Sequence, residues 1–201
     1  MNRIFKYLFL IITIVSISAC KSTKDVDKLI DQREWDKAYE VASKWYIDLP
    51  YSYVMLPHMT DLVLNGDYTI AKQICSEKRY MRIYYQAIMN NLERIYDNQG
   101  EDKLLYAMAS IGRPNIDRLP YYMDISVGGI WSYGPLRDGD DFIKYNNYQL
   151  ESFMGVLDLK GEKALIRKLA VYLMPSPVYG DKTGKMDNSE VKRIKQKFGV
   201  K

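Results

Sequence analysis

Apolar residues recur at intervals of three and four along most of this chain, the spacing of one buried face of a helix. Trp35, Ala38, Tyr39, Ala42, Trp45 and Tyr46 make the first such face. Tyr68, Ala71 and Cys75 repeat it, with Ile70 and Ile74 beside them, and Leu104, Leu105, Met108 and Ala109 follow. Two more stripes run through Leu150, Phe153, Met154 and Leu157, and through Ile166, Leu169, Ala170 and Leu173. Val191, Ile194 and Phe198 form a last one among five basic residues. Asn65-Gly66-Asp67, Gln99-Gly100-Glu101 and Lys160-Gly161-Glu162 are turn signals between these segments. Asp48-Leu49-Pro50 is expected to close the first helix, because the residue before a proline is pushed out of the α region. The pattern predicts an all-α fold.

Three stretches depart from it. Gly112-Arg113-Pro114 breaks the periodicity, and residues 127–141 read as one long loop. Pro175 and Pro177 end a helix, and residues 176–188 read as loosely ordered. Pro57 lies within a helical segment, where an interior proline costs about 3 kcal/mol; it can instead start a shorter helix at residue 57, where its missing N–H does no harm.

The turns are periodic. Trp35 to Tyr68 and Ala38 to Ala71 are each 33 residues, and Gly66 to Gly100 is 34. A period near 34 in a helical sequence marks stacked helix-turn-helix units. The small Ala lets the second helix approach the first, and the aromatic beside the turn covers the gap. Gly66-Asp67-Tyr68-Thr69-Ile70-Ala71 resembles the turn of the tetratricopeptide repeat, and Glu34-Trp35-Asp36-Lys37-Ala38 resembles it with Trp in the aromatic place. Pro50 falls where that family closes a repeat, whereas Met59, Glu93 and Leu105 depart from its small residues. The resemblance covers residues 28–112 and implies stacked helix-turn-helix hairpins, a tetratricopeptide-like α-solenoid.

The N-terminus has a different pattern. Arg3 and Lys6 precede an apolar run, Tyr7 to Val15, and the small-residue stretch Ser16 to Ala19 leads to Cys20. This is the layout of a secretory signal peptide, and the run is too short for a membrane span of about 20 residues. Ile17-Ser18-Ala19-Cys20 resembles the lipobox of bacterial lipoproteins. The resemblance implies removal of residues 1–19, a diacylglyceryl thioether on Cys20 and an acyl chain on its amine. Each buried CH₂ adds about 0.8 kcal/mol to such an anchor. Lys21, where a retention signal would have Asp, implies the outer rather than the inner membrane of the cell envelope. Residues 20–27 then form a lipidated tether and residues 28–201 the helical domain, with C-terminal helices over 142–201.

Composition narrows the chemistry. The formal net charge is +4, two of it from Arg3 and Lys6, too little to argue for a nucleic-acid partner. With Cys20 lipidated, Cys75 has no second thiol in the chain, so no disulfide framework is expected. His58 is the one histidine, which argues against a histidine-centred metal site or catalytic triad. Cys75 sits on an apolar face and reads as a small buried hydrophobe.

The long loop carries the most suggestive residues. In Gly128-Gly129-Ile130-Trp131-Ser132-Tyr133-Gly134-Pro135, Trp131 and Tyr133 can offer a stacking surface for a glycan or a peptide, or fold back onto the helices. Asp138-Gly139-Asp140-Asp141 resembles part of a calcium loop but lacks its third spaced ligand, sixth-position glycine and terminal glutamate. A turn and an Asp cap before Phe142 explain it, and no metal site or cofactor is expected. The basic C-terminal stretch can lie on anionic lipid or cap the last apolar face. No phosphate loop, nucleophile elbow or zinc spacing occurs. The expectation is a non-catalytic, membrane-anchored scaffold that binds a protein or peptide partner, with glycan or peptide binding through residues 128–135 as the alternative.

Overall fold

The computed structural model describes residues 24–44, 49–77, 81–111, 139–177 and 186–201. Cys20, Trp45, Tyr46, Trp131 and Tyr133 lie outside them. The protein is all-α, built of stacked helical hairpins. It divides into two compact units, Met1–His58 and Met59–Lys201.

In the first unit α1 (24–31) and α2 (Trp35–Ala42) form a hairpin, and α3 (Leu49–Leu64) begins. Val26, Ala38, Ala42 and Val54 are its buried centre, with Leu29, Ile30, Trp35, Tyr39, Val41 and Tyr53 packed around them. The turn between α1 and α2 closes with Glu34 N–H donating to the Leu29 carbonyl and Arg33 N–H to that of Ile30, both at 2.9 Å. That is the Schellman pattern, with Arg33 as the left-handed residue at φ 56°.

Three expectations are corrected here. Residues 24–27 were expected in a polar tether, yet they are helical and Val26 is fully buried, because a single apolar residue among charges suffices to seat an amphipathic turn. Leu49-Pro50 does not close a helix; α2 ends at Ala42, and Pro50 lies in the first turn of α3, where its missing N–H has no helical partner to lose. Pro57 does not start a helix either. It lies inside α3, and the burial of Val54, Met55, Met59 and Val63 offsets the lost bond.

The second unit contains the rest of α3, then α4 (Tyr68–Glu77), α5 (Met81–Met89), α6 (Leu92–Gln99), α7 (Glu101–Ile111), α8 (Gly139–Leu159), α9 (Lys163–Leu169) and α10 (Ser189–Lys197). A 3₁₀ turn, Ala170–Tyr172, extends α9. The two-residue strands Ser176–Pro177 and Met186–Asp187 pair antiparallel before α10. Gly66 at φ 87° and Gly161 at φ 78° sit in Schellman turns like that of Arg33. Asp67 N–H reaches the Leu62 carbonyl, and Glu162 N–H that of Leu157, both at 2.9 Å. Residues 139–141 were expected in the long loop; they form the first turn of α8.

The predicted stripes are the core. Tyr68, Ala71, Cys75, Leu104, Met108, Leu150, Phe153, Met154, Leu157, Ile166, Leu169 and Ala170 are all buried. Ala109 is not; Ala107 is buried in its place, so the inward face of α7 is turned by part of a helical step. The helix expected before Gly100 is split at Asn90-Asn91 into α5 and α6. There the Asn91 amide donates to the Ala87 carbonyl at 2.8 Å, competing with the backbone ladder.

Two polar clamps hold these hairpins together. The Gln99 amide donates to the Val63 and Leu64 carbonyls at 3.0 and 2.9 Å, and accepts the Tyr68 hydroxyl at 2.7 Å. It thereby satisfies the orphan Leu64 carbonyl at the end of α3 and is a second donor to the Val63 carbonyl, which also accepts Gly66 N–H at 3.1 Å. Asn147, fully buried, accepts Met174 N–H at 2.9 Å and donates to the Met174 carbonyl at 2.8 Å. Beside it Asn146 donates to the Tyr172 carbonyl at 3.1 Å and accepts the Tyr85 hydroxyl.

Candidate functional surfaces

Of the residues singled out in the sequence, His58 and Cys75 are described. The His58 ring stacks on Trp35, with centroids 4.7 Å apart and planes 12° from parallel, and its Nδ1 lies 3.1 Å from the Tyr39 hydroxyl. It works there as an aromatic spacer between α2 and α3. Cys75 is fully buried, and burial pushes its thiol up to about 12, so it is a thiol rather than a nucleophilic thiolate at neutral pH. Among the described residues no group of three or more His, Cys, Asp or Glu side chains can hold a metal ion. No described helix is long and apolar enough to cross a membrane.

The basic C-terminal helix is packed down. Ile194 and Phe198 are buried, so most of its apolar stripe is used inside the fold. Arg193 holds Glu151 of α8 through two bonds, at 3.0 and 2.6 Å, and Lys197 adds a third at 2.8 Å. These cations hold the Glu151 carboxyl down at about 2. That leaves Lys195 and Lys201 without a described acid partner, while Lys192 lies in the field of Asp187.

Among the described residues two open surfaces stand out. One is the outer face of α8. Tyr148 and Leu159 are 68% and 92% exposed, and Ser152 and Gly155 lie between them at helical spacing. The eleven-residue interval is about three turns, or roughly 16 Å. A Cβ added at Gly155 would meet nothing within 4 Å, so the middle of this face is open.

The other is a groove of about 590 Å³ between α4 and α7. Its floor holds Tyr68 and Tyr84, both buried. The Tyr84 hydroxyl lies 2.6 Å from Ser110 Oγ, which itself donates to the Ala107 carbonyl at 2.6 Å; Tyr84 is therefore the donor. Burial raises both phenols, Tyr68 to about 12, so neither ionises near neutral pH. Tyr106, 52% exposed, stands edge-on to Tyr68 with centroids 5.7 Å apart. Along the α4 wall Lys72 donates to the Ser110 carbonyl at 2.7 Å, and Gln73 to Glu77 at 2.8 Å.

Neither surface was singled out in the sequence. A signal existed for the first: Leu159 is a large apolar residue off the buried stripe of its own helix. The groove had none, because its walls come from helices more than twenty residues apart. No protein-family model matches the chain, and neither a curated protein nor a solved structure is detectably similar to it.

Proposed function

We propose that this protein is a non-catalytic scaffold held at the bacterial envelope by a lipid on Cys20, presenting its helical hairpins to a partner protein. The outer face of α8 carries the reading. A helix that leaves Tyr148 and Leu159 in water, with Ser152 and Gly155 between them, offers a partner two apolar side chains with a close approach between them. Isolated exposed apolar residues are ordinary, but a spaced pair flanking small residues on one helix is the form of a docking face. The tetratricopeptide resemblance of residues 28–112 and the lipobox resemblance of residues 17–20 support the same role, the first by architecture and the second by address.

Gly155→Arg tests it. Gly155 has helical backbone and open space around it, and Arg is the better helix former, so the fold should be kept or slightly stabilised. The long, charged side chain would stand between Tyr148 and Leu159 on the open face. Specific partners recovered with the wild-type chain from detergent-solubilised envelopes should be lost with the variant, at a melting temperature no lower than wild type. Retention of the same partners by Gly155→Arg would overturn the assignment of this face.

A further inference from the structure

We infer that the groove between α4 and α7 is a second docking site, one that seats a short amphipathic helix of a partner protein with an acid and a base on its flank. Its residues are not those of the α8 face, and it does not depend on that assignment. Three observations select this occupant: the lining, the elements that make the walls, and two charges on one rim.

The lining is mostly apolar. Tyr68 and Tyr84 form a buried aromatic floor, and the half-exposed Tyr106 ring stands beside it, edge-on to Tyr68. Ala109, the next lining residue on α7, is small and lets a neighbour come close. An apolar face laid against these rings removes both surfaces from water.

Both walls are helices. Their backbone groups are bonded within α4 and α7, so neither wall offers the unpaired edge on which an extended segment docks. An extended peptide laid here would bring its own N–H and C=O groups against aromatic rings without partners. A helix has bonded its backbone already and presents side chains alone. Its size fits. The α4 wall runs from Thr69 to Glu77, about 12 Å or a little over two turns. A helix about 10 Å across, seated to half its width over that length, displaces roughly 470 Å³. The groove, at about 590 Å³, takes it.

The rim sets the charge. Lys72 and Glu77 both line the groove and both are exposed, about 7.5 Å apart along α4. Their hydrogen-bond partners, the Ser110 carbonyl and the Gln73 amide, are neutral, so each keeps its full charge for a ligand. A partner helix that brings an acid to Lys72 and a base to Glu77 is attracted at both ends. One that carries a single sign is repelled at one of them. Exposed pairs of this kind set selectivity more than affinity, at a factor of about three each.

The probes are three stapled helical peptides of about three turns. All carry the same Leu face, and the flank holds an acid and a base, two acids, or two bases. A proline-containing peptide of the first composition supplies the extended form. The full chain in a non-ionic detergent should bind the mixed-charge helix best, with a Kd below about 1 mM by fluorescence anisotropy. The extended form should bind at least about tenfold more weakly. Lys72→Glu should make the two-base helix the preferred one, and Glu77→Lys the two-acid helix, each by about threefold. Tyr106→Ala should weaken every helix at least about threefold, and Tyr106→Phe should keep the binding, because the ring remains. All three side chains are exposed, and unchanged far-ultraviolet dichroism of the variants excludes misfolding. Any of four results would overturn the inference: no stapled helix binds below about 1 mM, the extended form binds as well as the helix, Tyr106→Ala changes nothing, or either charge reversal leaves the ranking as it was. None of these bears on the α8 face, which Gly155→Arg tests separately.

Discussion

Asn147 shows how much one side chain can carry in this fold. It is fully buried in α8, and both ends of its amide are used by the same residue, Met174. The segment after the 3₁₀ turn leaves helical geometry, so its backbone groups need partners that no helix provides. The Asn147 amide supplies both, in the way a neighbouring strand would. Asn147→Ala leaves a buried N–H and a buried C=O unpaired at about 1–3 kcal/mol each. The variant should therefore be destabilised by about 2–6 kcal/mol in urea unfolding. A loss below about 0.5 kcal/mol, the range of an ordinary surface change, would mean that water replaces the amide.

Among the helices, α10 is attached by chemistry that pH can reach. Glu151 has its carboxyl lowered from 4.5 to about 2, chiefly by the hydrogen bond from Arg193 and then by that from Lys197. The folded chain thus holds this site deprotonated at pH values where the unfolded chain binds a proton. The contribution to stability is complete above about pH 4.5, falls progressively as the pH drops, and is gone below about 2. Its size is modest, about 1 kcal/mol, because Arg193 and Lys197 are half exposed and water screens the pair. Wild type and Glu151→Gln should differ in stability at neutral pH and converge between pH 4.5 and 2. A gap that stays constant over that range would place the stabilisation in shape rather than charge.

The helical segments were legible in the sequence to very different degrees. The stripes of α4, α8 and α9 could be read directly, because each helix buries one face and the 3.6-residue period exposes it. Boundaries were less legible. Pro57 argued for a break that burial around it overrides, and Val26 was too isolated among charges to signal a buried turn. The split at Asn90-Asn91 depends on a side chain bonding back to Ala87, which no apolar pattern records. Surfaces were the least legible. Tyr106 and Tyr68 are 38 residues apart in the sequence and meet only after the hairpins have stacked.

For the whole molecule, the proposed anchor sets the working geometry. Helix is present from residue 24, so three residues, Lys21 to Thr23, separate Cys20 from it. At about 3.3 Å per residue they reach roughly 10 Å, less than half of what a tether to residue 27 would give. A scaffold held this closely presents its first hairpin near the headgroups. Cys20→Ser should release a folded chain from the membrane fraction, with helical content unchanged by far-ultraviolet dichroism. A Cys20→Ser chain that still sediments with membranes would refute the anchor.

The Gln99 amide adds a rule about length. Its bonds to Val63, Leu64 and Tyr68 cross an interval of 31 residues at the shortest. Inserting one residue into α6 would turn the amide by about 100° around the helix axis and carry it off all three partners. Substituting the exposed Glu93 or Asp97 would leave it in place. Gln99 therefore acts as a ruler: variants of this chain can change much of the outward surface of α6, but not the number of residues in it.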